Sequence, residues 1–211
     1  MKKGIIINIV LILLIYLIPK PQTIETADTD QPKENQTVVE EVKEAIVTAS
    51  NRSENLDRQE IKKNTTLSPD SDLRVLSNLT TEDFNKMLKS TELEGTGYIF
   101  TEIEKKYGIN GLYILGLTCL ESNFGKSTFA KERNNLVGWN AVDSNPQKAT
   151  YFKSKEECLF YVSNRLKANY LSENGCYFNG YSGRAVDKKY CSDTKHIDKI
   201  CNIVNKLTKK L

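Results

Sequence analysis

Glu121 is the residue whose type and place could do chemistry. It ends the most apolar helical stretch of the chain, Leu112 to Glu121, and Ser122-Asn123-Phe124-Gly125 follows at once. An isolated carboxylate against apolar surface is costly, so its presence needs a reason. Apolar surroundings and the negative end of its own helix should both favour the protonated form. A carboxylic acid that keeps its proton near neutral pH suits cleavage of a glycosidic bond, because the leaving oxygen must receive a proton. The plainer alternative is a Glu that simply leaves the helix end for solvent. Trp139 and Tyr151 are aromatic groups able to stack on sugar rings or to fill a core. Asn134 and Asn135 read as structural, since Asn tolerates left-handed backbone and caps element ends.

The elements that must position these residues are mainly helical. Thr80-Thr81-Glu82-Asp83 ahead of Phe84, Met87 and Leu88 marks a helix start with acids in its first turn. Glu94 to Gly97 reads as a turn, and Tyr98 to Tyr107 as a second helix with Ile99, Phe100, Ile103 and Tyr107 at helical spacing. Leu112 to Glu121 is apolar all round, the mark of a helix inside the domain. Ser127 caps a short helix, Thr128 to Arg133. The turn-rich segment Leu136 to Phe152 predicts a small β hairpin. Ser154-x-x-Glu157 is a capping box for a helix running to Tyr170. A Gly- and Tyr-rich loop, Asn174 to Gly183, precedes a last helix from about Thr194 to Lys206, with Ile197, Ile200, Cys201 and Val204 as its buried stripe.

Charge divides the 211 residues into three regions. Residues 1–19 carry two Lys and no acid, residues 20–80 eight basic and twelve acidic groups, and residues 81–211 twenty basic and fifteen acidic. A net charge of +3 is too small for a dedicated nucleic-acid binder, so no nucleic-acid partner is expected. With one His and no C-x-x-C pair, neither a metal nor a cofactor is expected. Residues 20–75 are polar, acidic and poor in aromatics, the composition of a disordered linker. Lys2-Lys3 followed by the apolar run Gly4 to Ile18 is the pattern of a signal peptide or an uncleaved signal anchor over residues 1–19. Either places the rest outside the cytoplasm, secreted or as a single-pass membrane protein whose anchor is this segment. Cys119, Cys158 and Cys201 sit on apolar stripes and read as buried thiols. One disulfide, of unassigned partners, remains open.

The ordered set Glu121-Ser122-Asn123-Phe124-Gly125-Lys126-Ser127, Ala130-Lys131 and Asn134-Asn135-Leu136-Val137-Gly138-Trp139 resembles the glucosaminidase domain of bacterial peptidoglycan hydrolases, glycoside hydrolase family 73. The likeness extends upstream through Tyr107-Gly108-Ile109-Asn110, Gly95-Thr96-Gly97 and Leu79-Thr80. Downstream it takes in Asp143-Ser144-Asn145-Pro146 and Tyr190-Cys191-Ser192-Asp193, so it covers residues 76–211. It implies a lysozyme-like helical domain with a small β lobe, a mainly α (α+β) class. It implies an endo-β-N-acetylglucosaminidase acting on peptidoglycan glycan strands, with Glu121 as general acid and Tyr190 lining the cleft beside it. Asn135, Trp139 and Tyr151 are the implied substrate-binding residues. Some relatives carry a second Glu in the β lobe, but here Asp143 is the one carboxylate between Leu136 and Lys155. Either Asp143 serves, or the N-acetyl group of the substrate attacks the anomeric carbon. His196 stands where relatives often have an aromatic residue. A lytic transglycosylase and a non-catalytic wall-binding scaffold, with other cell-wall machinery as its partner, are the competing readings.

Overall fold

Each helix begins where a side chain answers the free N–H groups of its first turn. The computed structural model describes residues 62–141 and 148–211, within one compact unit, Glu60–Leu211. Helix α1, Thr81–Leu88, opens on a full capping box: Thr80 Oγ1 accepts from the Asp83 N–H, and Asp83 Oδ2 accepts from the Thr80 N–H. Helix α2, Gly97–Tyr107, ends on Gly108 at φ +62°, left-handed backbone that glycine adopts freely. Helix α3, Gly111–Ser122, is capped by Asn110, whose Oδ1 accepts from Leu112 and Tyr113. Helix α4 is Thr128–Arg133 and α5 Lys155–Asn169, capped by Ser127 and Ser154. Helix α6, Gly183–Tyr190, is capped by Ser182, and α7, His196–Leu207, runs into a 3₁₀ turn, Thr208–Lys210.

The apolar α3 is the axis of the domain, buried from Gly111 to Cys119. It packs chiefly on α7 and also on α2, which in turn meets α1 and α5. Gly116 makes the close crossing with α7 possible. A β-carbon there would lie 2.7 Å from Val204 Cγ2 and 2.8 Å from Ile200 Cγ2. This crossing brings the start of α7 to the end of α3, where Glu121 lies.

The expected elements from Thr80 to Arg133 and from Ser154 to Tyr170 form as the periodicity indicates, and three expectations need correction. First, residues 62–75 are part of the folded unit rather than linker. Leu67 and Leu73 are buried. The Leu73 N–H donates to Tyr181 O at 2.9 Å and its carbonyl accepts from Asn110 N–H at 2.7 Å. The segment is a strap docked by its two buried leucines and these backbone bonds. Second, no strand forms in the described part of 136–152, and an isolated Asp72–Ser182 bridge is the β pairing among the described residues. The Asn135 side chain takes the Trp139 N–H and carbonyl and the Thr150 carbonyl. One backbone bond crosses the segment, from the Thr150 N–H to the Trp139 carbonyl at 3.0 Å, and the Asn135 amide supplies the remaining ties to these two residues, so no ladder extends from it. Third, α6 lies in a segment with no expected helix.

Among the described residues no helix is long and apolar enough to cross a membrane. The apolar run Gly4 to Ile18 lies outside them. All five cysteines are free thiols. Burial pushes Cys119 up to about 12 and Cys158 and Cys201 up to about 11, so all three stay protonated.

Candidate active site

The turn that follows Glu121 explains the residue types around it. Ser122 Oγ donates to Thr118 O at 2.6 Å and accepts from the Gly125 N–H at 2.8 Å, tying the loop back to the helix. Asn123, Phe124 and Gly125 take successive left-handed φ values of 51°, 56° and 84°. Gly125 meets a second demand, because a β-carbon there would lie 2.9 Å from Glu92 Cβ. The backbone therefore turns away from α3 just after Glu121 and leaves its carboxyl at the edge of a cleft.

Glu121 is not surrounded by apolar groups alone. Its Oε1 lies 2.9 Å from His196 Nε2, in the first turn of α7. The other ring nitrogen, His196 Nδ1, lies 3.0 Å from Asp187 Oδ1 on α6. Asp187 Oδ2 in turn accepts from the Ile197 N–H at 2.6 Å. The His196 side chain is 5% exposed and that of Glu121 30%. Both imidazole nitrogens face carboxylates, so both donate and the ring is an imidazolium. Burial opposes that charge. The hydrogen bonds to Asp187 and Glu121 outweigh it and hold the His196 pKa up to about 10.

Tyr190, at the end of α6, stacks on His196 with ring centroids 5.6 Å apart. Tyr170 meets Tyr190 edge-on at 5.9 Å, and Tyr177 lies 5.0 Å beyond on Tyr170. Burial, and then the Glu121 charge, push the Tyr190 phenol well above its ordinary value, so it remains a neutral donor. Opposite stands Trp139, edge-on to Tyr161 at 5.3 Å. Glu121, Trp139, Asn140, Tyr170, Tyr190 and Cys191 line an open cleft of about 400 Å³. A half-exposed carboxyl between aromatic walls suits a polar ring substrate that stacks on its faces and receives a proton at an ether oxygen.

The structure brings Glu121, Tyr190 and Trp139 together. Asn135 is 1% exposed, and its amide is spent on Trp139 and Thr150. It has no group left for a sugar and instead holds the Trp139 backbone, which corrects the expected binding role. Tyr151 is 67% exposed and does not line the cleft. Asp143 lies outside the described residues. Sequence reasoning missed Asp187, Tyr170 and the part played by His196. A lone histidine gives no spacing signal, and its partner Glu121 is 75 residues away.

A family model described as mannosyl-glycoprotein endo-beta-N-acetylglucosaminidase, the glucosaminidase domain, matches residues 97–209. The chain belongs to the glucosaminidase family. Two putative endo-beta-N-acetylglucosaminidases of Streptococcus pneumoniae, from the serotype 4 strain and strain R6, are each 32% identical over 146 residues, 66% of this chain. This glucosaminidase chain spans 22% and 21% of their lengths. Among solved structures, S. aureus autolysin E matches with a TM-score of 0.55 and 23% identity, covering 69% of this chain and 75% of that one. A catalytic mutant of autolysin E in complex with the disaccharide NAG-NAM matches equally well. At this identity the likeness is one of fold, and it agrees with a mainly helical, lysozyme-like domain.

Proposed function

We propose that this glucosaminidase domain hydrolyses peptidoglycan, cleaving the β-1,4 bond between N-acetylglucosamine and N-acetylmuramic acid with Glu121 as general acid. The observation that carries this reading is the half-exposed Glu121 carboxyl, held by a buried His between the aromatic walls of a cleft. Trp139 and Tyr190 offer ring faces to the sugars on either side of the scissile bond. Glu121 gives its proton to the glycosidic oxygen as the bond from that oxygen to the anomeric carbon lengthens, and the electron pair leaves with the oxygen. Asp187, the other carboxylate beside this site, is committed to His196 and the Ile197 N–H. Its commitment favours attack on the anomeric carbon by the substrate's own N-acetyl oxygen, with water opening the cyclic intermediate. Asp143 is the alternative water-activating group. We further propose that residues 1–19 place the domain outside the cytoplasm, where the polymer lies.

Product chemistry tests the reaction. Purified peptidoglycan digested by the full chain, reduced with borohydride and analysed by mass spectrometry, should show new reducible N-acetylglucosamine ends. Anhydro-muramyl ends would make the enzyme a lytic transglycosylase, and a folded protein that binds the wall without making new ends would be a scaffold.

A further inference from the structure

The imidazolium against Glu121 poses a question that the proposed acid role does not answer. A cation 2.9 Å from a carboxyl favours its charged form, whereas a general acid must first hold a proton. The balance resolves in favour of catalysis when both ends of the proton transfer are compared. Before transfer, the imidazolium faces a neutral carboxylic acid and the attraction is weak. After transfer, it faces a carboxylate, and because the imidazolium side of the pair is buried the attraction is stronger than before transfer. An interaction that grows along the reaction coordinate lowers the barrier.

We propose that His196, clamped by Asp187, is a positioning residue for Glu121: it fixes the carboxyl through Oε1, leaves Oε2 for the glycosidic oxygen, and stabilises the carboxylate that forms as that oxygen is protonated. This rests on Glu121 being the acid. Among the described residues Oε2 carries no hydrogen bond, so it is free to present the proton. The proton travels from Glu121 to the leaving oxygen, and the electron pair of the broken bond stays with that oxygen. Water later supplies hydroxide to the anomeric carbon and its second proton to Glu121. His196 loses no proton in this sequence; it stays charged throughout.

The groups around His196 are arranged to keep that charge. From α3 come Glu121 and the Tyr113 phenol, which is fully buried and has no hydrogen-bond partner among the described residues. From α6 come Asp187 and Tyr190. The connecting turn adds Cys191 and Asp193, and its own helix adds Asp198 and Lys199. Lys199 is occupied by Asp193 at 2.6 Å. The groups in direct contact with the ring are two carboxylates and a neutral phenol ring, while Lys195 precedes it in the chain, Lys188 follows Asp187, and the Lys199 ammonium is paired with Asp193.

The test uses full-chain wild type, His196→Gln, Asp187→Asn and Glu121→Gln on purified peptidoglycan from about pH 5 to 10. His196→Gln should lose about 10- to 100-fold in kcat with little change in KM, a size in keeping with loss of one charge-stabilising group. The alkaline limb of its kcat profile should move to higher pH, because the cation favouring deprotonation is gone. Asp187→Asn should move both readouts the same way by less. A merely structural role would lower the folded fraction and leave the limb in place. The chain has one histidine, so its imidazole ¹⁵N signals are unambiguous and need no activity. They should report a doubly protonated ring well above neutral pH in wild type, and loss of that proton at lower pH in Glu121→Gln. With Glu121→Gln inactive, an unchanged kcat and limb in a folded His196→Gln, or a neutral ring at pH 7 in wild type, would overturn this inference alone. A Glu121→Gln that still turns over would overturn the acid assignment as well.

Discussion

A carboxylate stands at each end of helix α3, Glu104 reaching its start from α2 and Glu121 closing its finish, and the two are treated in opposite ways. At its start, Glu104 is 6% exposed and its oxygens accept backbone N–H groups of Ser77 at 2.8 Å, Gly111 at 2.5 Å and Asn78 at 3.3 Å. The positive end of the α3 dipole adds to that. At its finish, Glu121 stands at the negative end with one partner, His196, and one oxygen left to the cleft. Glu104 has its oxygens filled by backbone donors and no access to substrate. Glu121 has access and an incomplete set of partners. The difference marks Glu104 as part of the scaffold and Glu121 as the reacting group, although both are glutamates bordering one apolar helix.

The largest effect that would break or sharpen this contrast is on turnover. Glu121→Gln should cut the rate of glycan cleavage about a thousand-fold with the fold retained, measured as release of reducible ends. Glu104→Gln should do the reverse. It should lower stability by about 3 kcal/mol in denaturant melts, because a buried charge-assisted network is left with a misplaced donor. Its activity per folded molecule should stay near wild type.

The pH dependence of stability comes next. The folded His196 pKa is raised to about 10 from its ordinary 6.5. The folded state therefore binds the extra proton more tightly than the unfolded chain. Its stabilising effect is full below about pH 6.5 and is lost as pH rises through about 10. Thermal melts should show stability falling by a few kcal/mol across that window, and His196→Gln should flatten the fall. Gly116→Ala, midway along α3, should cost about 2 kcal/mol by forcing α7 away, and should lower activity through the misplaced His196. Tyr151→Ala should change cleavage less than about twofold, since that ring projects into solvent.

The same two ends show how far the sequence could be read. The apolar period of Leu112 to Leu120 announced α3, and the Ser-Asn-Phe-Gly turn after Glu121 marked a carboxyl at an edge. Asn135 was legible as structural from its residue type, and the structure gives it that work. Glu104 leaves no signal in the sequence because its partners are backbone N–H groups, one at Gly111 and two from a loop 26 and 27 residues away. Such contacts leave no pattern in residue types. Helix α6 was missed because only Ala185 and Val186 of its eight residues are buried and apolar, and its other large anchor is the polar Asp187. That miss hid Asp187, and with it the clamp on His196. The strap at 62–75 has the sequence of a linker, because two leucines among polar residues carry no periodicity. The hairpin expectation failed on a different point, since turn residues and aromatics indicate a tight reversal but do not say how many peptide groups pair across it; here one Thr150–Trp139 bond forms and the Asn135 amide makes the other ties.

The central claim is that chemistry and scaffold are divided between the two ends of α3. The most direct measurement sets full-chain Glu121→Gln beside Glu104→Gln and takes, for each, the rate of appearance of reducible N-acetylglucosamine ends per folded molecule and the midpoint of thermal unfolding. The account predicts that Glu121→Gln melts near wild type and makes new ends about a thousand-fold more slowly, whereas Glu104→Gln melts lower and cleaves at the wild-type rate. A Glu121→Gln protein that cleaves normally, or a stable Glu104→Gln protein that does not, would contradict it.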